Sequence, residues 1–290
     1  MSQAILILAH KDADFVYRLS KFLKQKFNVY VHFDTKFSLS RETKEKFNEA
    51  NIFVCQEFNV HWAAFSIVEA ELFLMKEALK NKDNTFFHLI SGQDFPAKDI
   101  NDIFEFYENN TNIYMTYVLS KSYKNGSSYE RVLYWQKYYF DFDKLKRKSL
   151  YGKIYHRISI LYQMLTGVNK FKDLGIKEDM YYGSNWIDIS REPLEYMVNF
   201  LENNKNWYML FKTSAFSDES VFQTILCNSE YKDRIINNNH RYILHRHRNG
   251  PKILNMEDYG KLKNGDYHFA RKVDENISKE LIVNLQKNFY

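Results

Sequence analysis

Short apolar runs alternate with stretches of helical periodicity over the first 120 residues. Residues 4–9 form an apolar run typical of a buried strand, and after Asp12 the apolar side chains recur every three or four residues, as in an amphipathic helix. The same reading predicts a helix at 66–79 and further strands at 29–33, 52–55, 86–90 and 113–118. Strands joined by helices are typical of the α/β class, with a doubly wound sheet.

Polar side chains follow several of these strands at the point where each one ends. They are His10 and Lys11 after the first strand, Asp34 and Lys36 after the second, and residues 91–94 after the fourth. Ligands of open α/β sheets bind beyond the carboxyl ends of the strands. The sequence therefore predicts a ligand site at this edge of the sheet.

The second half of the chain is less regular. Residues 121–182 form a basic, tyrosine-rich segment without a clear period, and a stretch of that length is usually functional. Beyond it the pattern predicts strands at 186–189 and 241–244 and helices at 192–201, 218–227 and 278–289. Because no repeat or change of composition marks a boundary, we expect a single domain over residues 1–290.

Composition and charge narrow the classes of function. The chain carries 41 basic and 36 acidic side chains, a net charge of +5, and no nucleic-acid recognition motif, so nucleic acid is not an expected partner. It contains neither a G-x-G-x-x-G motif nor a Walker P-loop. Only Cys55 and Cys227 are present, and no apolar run is long enough for a signal peptide or a membrane span, which favours a cytoplasmic location.

Six ordered motifs resemble those of the core-2/I-branching β-1,6-N-acetylglucosaminyltransferases, glycosyltransferase family 14, in a bacterial-type form. The peptide O-xylosyltransferases are related to this family. The motifs span nearly the whole chain: residues 5–12 with 31–36, 61–66 with 69–72, 87–96, 183–186 with 190–192, 217–219, and 269–272.

The resemblance implies a GT-A glycosyltransferase fold, a Rossmann-like mixed sheet flanked by helices. Residues 1–120 would bind the nucleotide sugar, and residues 121–290 would bind the acceptor and hold the catalytic group. The implied reaction is an inverting transfer from a UDP-sugar to a glycan hydroxyl, without a metal ion or other cofactor. UDP-N-acetylglucosamine is the favoured donor. The alternatives are a transferase that uses UDP-xylose or another UDP-sugar, or a metal-dependent GT-A enzyme; a sugar- or nucleic-acid-binding protein without activity is a remote one.

Such a displacement needs a base for the acceptor proton and positive charge for the departing diphosphate. By resemblance Glu219 is the base and Asp218 supports it. The alternative is that both are acidic residues in the first turn of a helix that Ser217 caps.

Lys272 matches the lysine that holds the diphosphate in the family, with Arg271 as its neighbour. The alternative is that these two cations are solvated surface charges. A partner arginine lies in the preceding stretch, where Arg248 is favoured over Arg241, Arg246 and Lys252.

The remaining predicted contacts fall into two groups. Nucleotide contacts are expected from Ala9, His10, Lys11, Asp34 and Lys36. Contacts to the donor sugar or acceptor are expected from Trp62, Ser66, Gln93, Asp94, Arg131, Tyr134, Gly183, Ser184, Asn185 and Asp218. Ordinary turn, cap and core roles are the alternatives for these residue types.

Two groups of residues suggest a metal. Asp141 and Asp143 fit the D-x-D motif that chelates manganese in other GT-A enzymes, but they lie in the irregular segment rather than at the end of a central strand. His240, His245 and His247 lack an accompanying cysteine or carboxylate set for zinc. We therefore expect no metal site.

Residues 144–165 mix cations with apolar side chains in the manner of a basic amphipathic helix. Such a helix suits an anionic membrane surface, and peripheral attachment at the inner face of a membrane would bring the enzyme to a lipid-linked acceptor. The alternative is a solvated helix whose apolar side joins the core. A role in bacterial surface polysaccharide synthesis would fit both a membrane-attached and an unattached enzyme.

Overall fold

The computed structural model describes residues 1–120, 131–137, 149–246 and 250–287. Its strands are β1 (Ser2–Ala9), β2 (Asn28–Phe33), β3 (Phe53–Cys55), β4 (Asn84–Ser91), β5 (Asp94–Pro96), β6 (Ile113–Tyr114), β7 (Val118–Leu119), β8 (Tyr181–Tyr182), β9 (Asp188–Ser190), β10 (Ile235–Ile236), β11 (Arg241–Ile243), β12 (His245–Arg246), β13 (Gly250–Pro251) and β14 (Phe269–Arg271).

Its α-helices are α1 (Ala13–Leu23), α2 (Arg41–Glu49), α3 (Ser66–Lys80), α4 (Ile100–Tyr107), α5 (Leu150–Leu165), α6 (Lys170–Asp173), α7 (Arg191–Asn203), α8 (Lys205–Lys212), α9 (Val221–Cys227), α10 (Tyr259–Asn264) and α11 (Lys279–Lys287). The catalytic candidate Glu219 lies in a short 3₁₀ turn, Ser217–Glu219, between α8 and α9.

A mixed sheet of seven strands forms the centre of the molecule, in the order β10-β6-β9-β4-β1-β2-β3. β1 pairs in parallel with β2 and β4, whereas β9 runs antiparallel to β4 and β6. The parallel strands β1, β2 and β4 therefore end at one edge, as the polar pattern predicts. The α/β class and the mixed sheet flanked by helices are confirmed.

Apolar side chains cover both faces of this sheet. Along β1, Ala4 and Leu6 belong to one hydrophobic cluster, and Ile5 and Ile7 belong to the other. Successive side chains of a strand point to opposite faces, so a strand buried on both sides reads as a continuous apolar run. This explains why residues 4–9 show no polar alternation.

A second sheet, β11-β14-β5, completes the edge where the site lies. β14 runs antiparallel to β5, and this register sets Arg271 opposite Asp94. The pairing joins a segment near the end of the chain to the loop that follows β4. It brings Lys272, directly after β14, to the carboxyl ends of the parallel strands.

Several sequence predictions need correction. The strand predicted at 113–118 is divided between β6 and β7, which belong to different sheets, and α2 and α4 were not predicted. The strand predicted at 186–189 lies at Asp188–Ser190. The segment 121–182, predicted as irregular overall, contains the 16-residue helix α5, which falls within the possible amphipathic helix at 144–165.

The helix predicted at 218–227 begins later, because a 3₁₀ turn precedes α9. Ser217 does not cap it: the Ser217 hydroxyl donates to the carbonyl oxygens of Phe211 and Ser214, at 2.6 and 3.3 Å. Ser217 is therefore not a helix cap, although Asp218 and Glu219 do lie in the first turn of the 3₁₀ helix.

Within the described ranges, no helix combines the length and the apolar character that crossing a membrane requires. The prediction of a single domain stays a prediction.

Candidate functional site

A cleft of about 540 Å³ opens where β1 and β2 end. Six residues predicted from the sequence line this cleft, together with further apolar and aromatic side chains. The lining comprises Leu8, Ala9, His10, His32, Asp34, Lys36, Phe37, Val60, Trp62, Ile67 and Lys272. Residues from four distant parts of the sequence thus share one concave surface, which is the usual form of a small-molecule site.

Asp34 anchors the floor of this cleft. Its carboxylate accepts from the backbone N–H of Lys36 at 2.9 Å and from that of Val60 at 3.4 Å, and it lies 3.1 Å from the Lys36 ammonium. The carboxylate is 8% exposed, so it is held in place yet reachable from the cleft. A fixed carboxylate oxygen of this kind can accept hydrogen bonds from ribose hydroxyls or a base N–H.

Two histidines lie at the same edge and favour the neutral form. Burial lowers the pKa of His32 to about 4, and its Nε2 accepts from the backbone N–H groups of Glu57 and Phe58 at 3.2 and 3.1 Å. Burial, followed by the positive charges of Lys272 and Lys11, lowers the pKa of His10. At neutral pH His10 is therefore a neutral donor and acceptor at the cleft wall.

Positive charge is concentrated beside His10. Burial lowers the pKa of Lys272, and the neighbouring charges of Arg271 and Lys11 lower it further. Lys11 itself lies 3.1 Å from Asp12 and 3.5 Å from Asp274. The repulsion among these cations is relieved when an anion binds between them.

Arg271 and Lys272 have different surroundings although they are neighbours. The Arg271 guanidinium packs 4.3 Å from the centre of the Trp186 ring and lies 3.3 Å from the Asp94 carboxylate. Asp94 in turn accepts from the backbone N–H and the hydroxyl of Ser91, at 2.6 and 3.1 Å. Lys272 lines the cleft, whereas Arg271 and the nearly buried Asp94 brace the loop behind it.

The Gln93 backbone also holds the loop after β4 against the segment after β14, since its carbonyl oxygen accepts from the Val273 N–H at 2.8 Å. Ser66 holds the other side of the cleft: its hydroxyl accepts from the His61 N–H at 2.9 Å and so fixes the loop that carries Trp62.

The turn that carries Glu219 is tied to the Trp62 loop by two strained residues. Phe216 and Ala63 both adopt left-handed backbone conformations, with φ of 57° and 66°, and the Phe216 N–H donates to the Ala63 carbonyl at 3.0 Å. The Phe216 ring meets Trp62 edge-on, with the centroids 5.1 Å apart. Such strain in non-glycine residues is characteristic of functional sites.

Arg131 covers the carboxylate side of this turn. Its guanidinium lies 4.2 Å from the centre of the Phe216 ring and 3.5 Å from the Glu219 carboxylate. Burial raises the pKa of Glu219, and Arg131 partly opposes that shift. Glu219 is thus a carboxylate of increased basicity, with 42% of its side chain exposed.

Two further carboxyl groups lie behind Glu219. Glu71 on α3 is fully buried, and burial followed by the charge of Asp218 raises its pKa well above the usual range. Burial and the charge of Glu219 raise the pKa of Asp218 to about 7. The Asn185 amide faces Glu71 and favours its charged form. Burial therefore favours the protonated form of Glu71, whereas the charge of Arg131 favours the ionised form of Glu219.

Gly183 and Ser184 connect this turn to the sheet. The Gly183 N–H donates to the Glu219 carbonyl oxygen at 2.9 Å, and the Ser184 N–H donates to the Thr116 hydroxyl at 2.9 Å. A Cβ at Gly183 would lie 1.7 Å from the Thr116 carbonyl oxygen, so only glycine fits.

Other predicted residues are placed elsewhere. Tyr134 is 9% exposed and belongs to the interior. Arg241 is buried and binds both oxygens of Asp188, at 2.6 and 2.7 Å, so it is not available as the partner arginine. Lys252 pairs with Asp258 at 2.8 Å. Arg248, the favoured arginine, lies outside the described residues, as do Asp141 and Asp143.

Among the described residues, one group could offer three ligands to a metal: His240, Asp266 and His268. The two imidazole rings are stacked 4.4 Å apart at 13°, so their in-plane lone pairs run nearly parallel rather than converging. Asp266 also lies 2.6 Å from the Lys98 ammonium. His268 precedes β14 and Lys272 follows it, which sets this group at the opposite end of the strand from the cleft.

Three residues of the site were missed by the sequence reading. Glu71 gave a usable signal, because it is an acidic residue within the apolar stripe of α3 formed by Val68, Leu72 and Met75. Phe216 gave none, since its left-handed conformation is imposed by contacts distant in sequence. Trp186 was read as part of a strand and of the motif at 183–186, with no role in the site.

A mixed α/β sheet with a cation-bearing cleft at its parallel strand ends defines the class as an α/β protein with a ligand site at that edge. A family model, Core-2/I-branching enzyme, matches residues 4–263, so the chain belongs to that family and is a glycosyltransferase. No curated protein matches the chain. Among solved structures, the bifunctional glycosyltransferase WbbM in its apo form is similar, with a TM-score of 0.42 and 11% identity. That match covers 99% of this chain and 50% of WbbM, so this chain spans about half of that protein.

Proposed function

We propose that this protein transfers a sugar from a UDP-sugar to a hydroxyl group of a glycan or lipid-linked oligosaccharide, with inversion at the anomeric carbon. The observation that carries the proposal is the shared cleft of Asp34, His10 and Lys272, with Trp62 linking it to the turn of Glu219. Such a transfer needs a hydrogen-bond acceptor that holds the nucleotide, cations beside the diphosphate, and a basic carboxylate for the acceptor proton.

The donor would lie across the ends of β1 and β2. Asp34 accepts from the ribose or the uracil, and Ala9, His10 and Lys36 line the nucleotide on either side. Trp62, which is 62% exposed, offers its ring to a sugar face. N-acetylglucosamine is the donor sugar we propose, in agreement with the resemblance of the sequence motifs.

The diphosphate would lie toward Lys272 and Lys11. As the bond between the anomeric carbon and the diphosphate oxygen breaks, its electron pair moves to the diphosphate, and these ammonium groups stabilise the added charge. Their crowding in the free protein makes an anion favourable there. We therefore propose that fixed cations supply the positive charge and that transfer proceeds without a metal ion.

Glu219 would act as the base. The acceptor oxygen attacks the anomeric carbon from the face opposite the diphosphate, and its proton passes to the Glu219 carboxylate. Burial supports this role because it raises the pKa of Glu219 and so makes the carboxylate a better proton acceptor. Arg131 keeps the carboxylate oriented.

The proposal also includes the cellular location of the reaction. We infer a cytoplasmic enzyme of bacterial surface polysaccharide synthesis that works at the inner face of the membrane.

The test is UDP release from a panel of UDP-sugars, with and without EDTA, using water as the acceptor of last resort. We expect release from UDP-N-acetylglucosamine that survives EDTA. Loss of release on chelation would contradict the metal-free mechanism and direct attention to Asp141 and Asp143. Release from UDP-xylose alone would correct the donor.

A further inference from the structure

Helix α5 carries an apolar stripe that points away from the protein. Its members are spaced by three or four residues and are between 49% and 79% exposed: Leu150, Ile154, Ile158, Leu161 and Leu165. Tyr151 and Tyr162 widen the stripe along one side. With 16 residues at about 1.5 Å per residue, the stripe is roughly 24 Å long.

The opposite face of α5 is the one that packs on the protein. Gly152 and Gln163 are its buried residues, and the Gln163 amide donates to the Trp135 carbonyl oxygen at 3.1 Å and accepts from the Trp135 N–H at 2.8 Å. Tyr155 packs against the small cluster of Ala63, Ala64 and Ala215, as Phe216 does. The apolar side of the helix therefore does not join the core, and the alternative raised by the sequence is wrong.

Charge decides what can cover this stripe. Lys153 and Arg157 lie beside it, both exposed, and neither has a salt-bridge partner within the described ranges. The sequence contains no aspartate or glutamate from residue 144 to residue 172, and four further cations, at 144, 146, 147 and 148, directly precede the helix. Two copies of the stripe packed together would bring Lys153 and Arg157 of each copy to the same interface, with no acid on α5 to pair them. An anionic surface complements them.

We propose that α5 docks on an anionic phospholipid bilayer, with its outward stripe among the acyl chains near the headgroups and its cations on the lipid phosphates. A helix of this kind lies in the interface plane and does not span. Because Tyr155 joins α5 to the loops of Trp62 and Phe216, docking would hold the acceptor side of the site near the bilayer. This last step rests on the proposed transfer reaction; the docking itself does not.

The test is sedimentation of the full chain with vesicles of phosphatidylcholine alone and of equimolar phosphatidylcholine and phosphatidylglycerol. We expect binding to the anionic vesicles that weakens with added salt, and a loss of at least about tenfold in Ile158→Asp/Leu161→Asp, since two members of the stripe become charged. Lys153→Gln and Arg157→Gln should each weaken binding about fivefold. The matched control is Val283→Asp on α11, a similarly exposed apolar residue outside the stripe.

Ile158→Ser/Leu161→Ser provides a second variant should the aspartates disturb the helix, and it should also bind less. Failure of the wild type to bind anionic vesicles, or equal binding to both kinds of vesicle, would overturn the proposal. So would dimers in sedimentation velocity without lipid that the stripe variants abolish. UDP release to water should be the same in the stripe variants and the wild type, so a failure of docking and a failure of the transfer reaction are separable.

Discussion

The two sides of the site are built in different ways. The nucleotide side, with His10, Lys11 and Asp34, follows directly from the ends of β1 and β2. The carboxylate side depends on contacts between distant loops: Phe216 is held against Ala63, and the Glu219 carbonyl is held by Gly183. One side needs only correct strand pairing, whereas the other needs tertiary contacts that store strain and bury charge. We expect donor binding to survive changes that abolish the chemistry.

The largest effect should come from Glu219→Gln. The amide cannot take the acceptor proton, so turnover should fall by about 10²–10⁴-fold while UDP affinity stays within about twofold, since the cleft of Asp34 and Lys272 is unchanged. UDP release and calorimetric titration with UDP measure the two quantities. Substantial turnover in the variant would remove Glu219 from the role of base.

Lys272→Ala should affect the side of the site that binds the nucleotide and its diphosphate. Losing a charge-assisted contact to the diphosphate should weaken UDP binding by about 10–100-fold and lower turnover as well. Lys261→Ala, an exposed lysine on α10, is the control and should change neither. If UDP binds equally to both variants, Lys272 does not hold the diphosphate.

Gly183→Ala tests whether the carboxylate side depends on close backbone approach. The new methyl group would overlap the Thr116 carbonyl oxygen, so we expect a loss of about 1–3 kcal/mol in the free energy of unfolding and a displaced Glu219. Gly260→Ala is the matched control, because nothing lies within 4 Å of the Cβ it would add. Urea denaturation compares the two, and equal stability would show that the loop yields without cost.

Glu71→Gln should have the smallest effect, and that effect should depend on pH. Burial and Asp218 raise the pKa of Glu71 in the folded chain above its unfolded value, so the folded state binds this proton more tightly. This stabilising contribution is complete below the unfolded pKa, about 4.3, and is lost as the pH rises toward the folded pKa. Glutamine cannot ionise and escapes that loss.

The free energy of unfolding of Glu71→Gln should therefore rise relative to that of the wild type between pH 5 and pH 8, because only the wild type loses the contribution of this proton. Urea denaturation at several pH values measures it, with Glu49→Gln on the exposed end of α2 as the control. A difference that does not change with pH would mean that Glu71 is ionised throughout.

The difference between locally determined strand ends and loops held by distant contacts also explains which features could be predicted from the sequence. Strands β1, β2 and β4 and helices α1 and α3 follow from local periodicity, and the cleft residues follow from the ends of those strands. Ser217 was misread because Ser-Asp-Glu is a common helix start, and only the contacts of its hydroxyl with Phe211 and Ser214 reveal another role. Periodicity showed that α5 is amphipathic, but it could not show that the apolar side faces outward.

The most direct test of the account is the configuration of the first sugar released. A single displacement assisted by Glu219 predicts that an α-linked UDP-sugar yields the β anomer, which proton NMR detects before mutarotation. Release of the α anomer first would contradict the account, because it would require two displacements or attack from the face of the departing diphosphate.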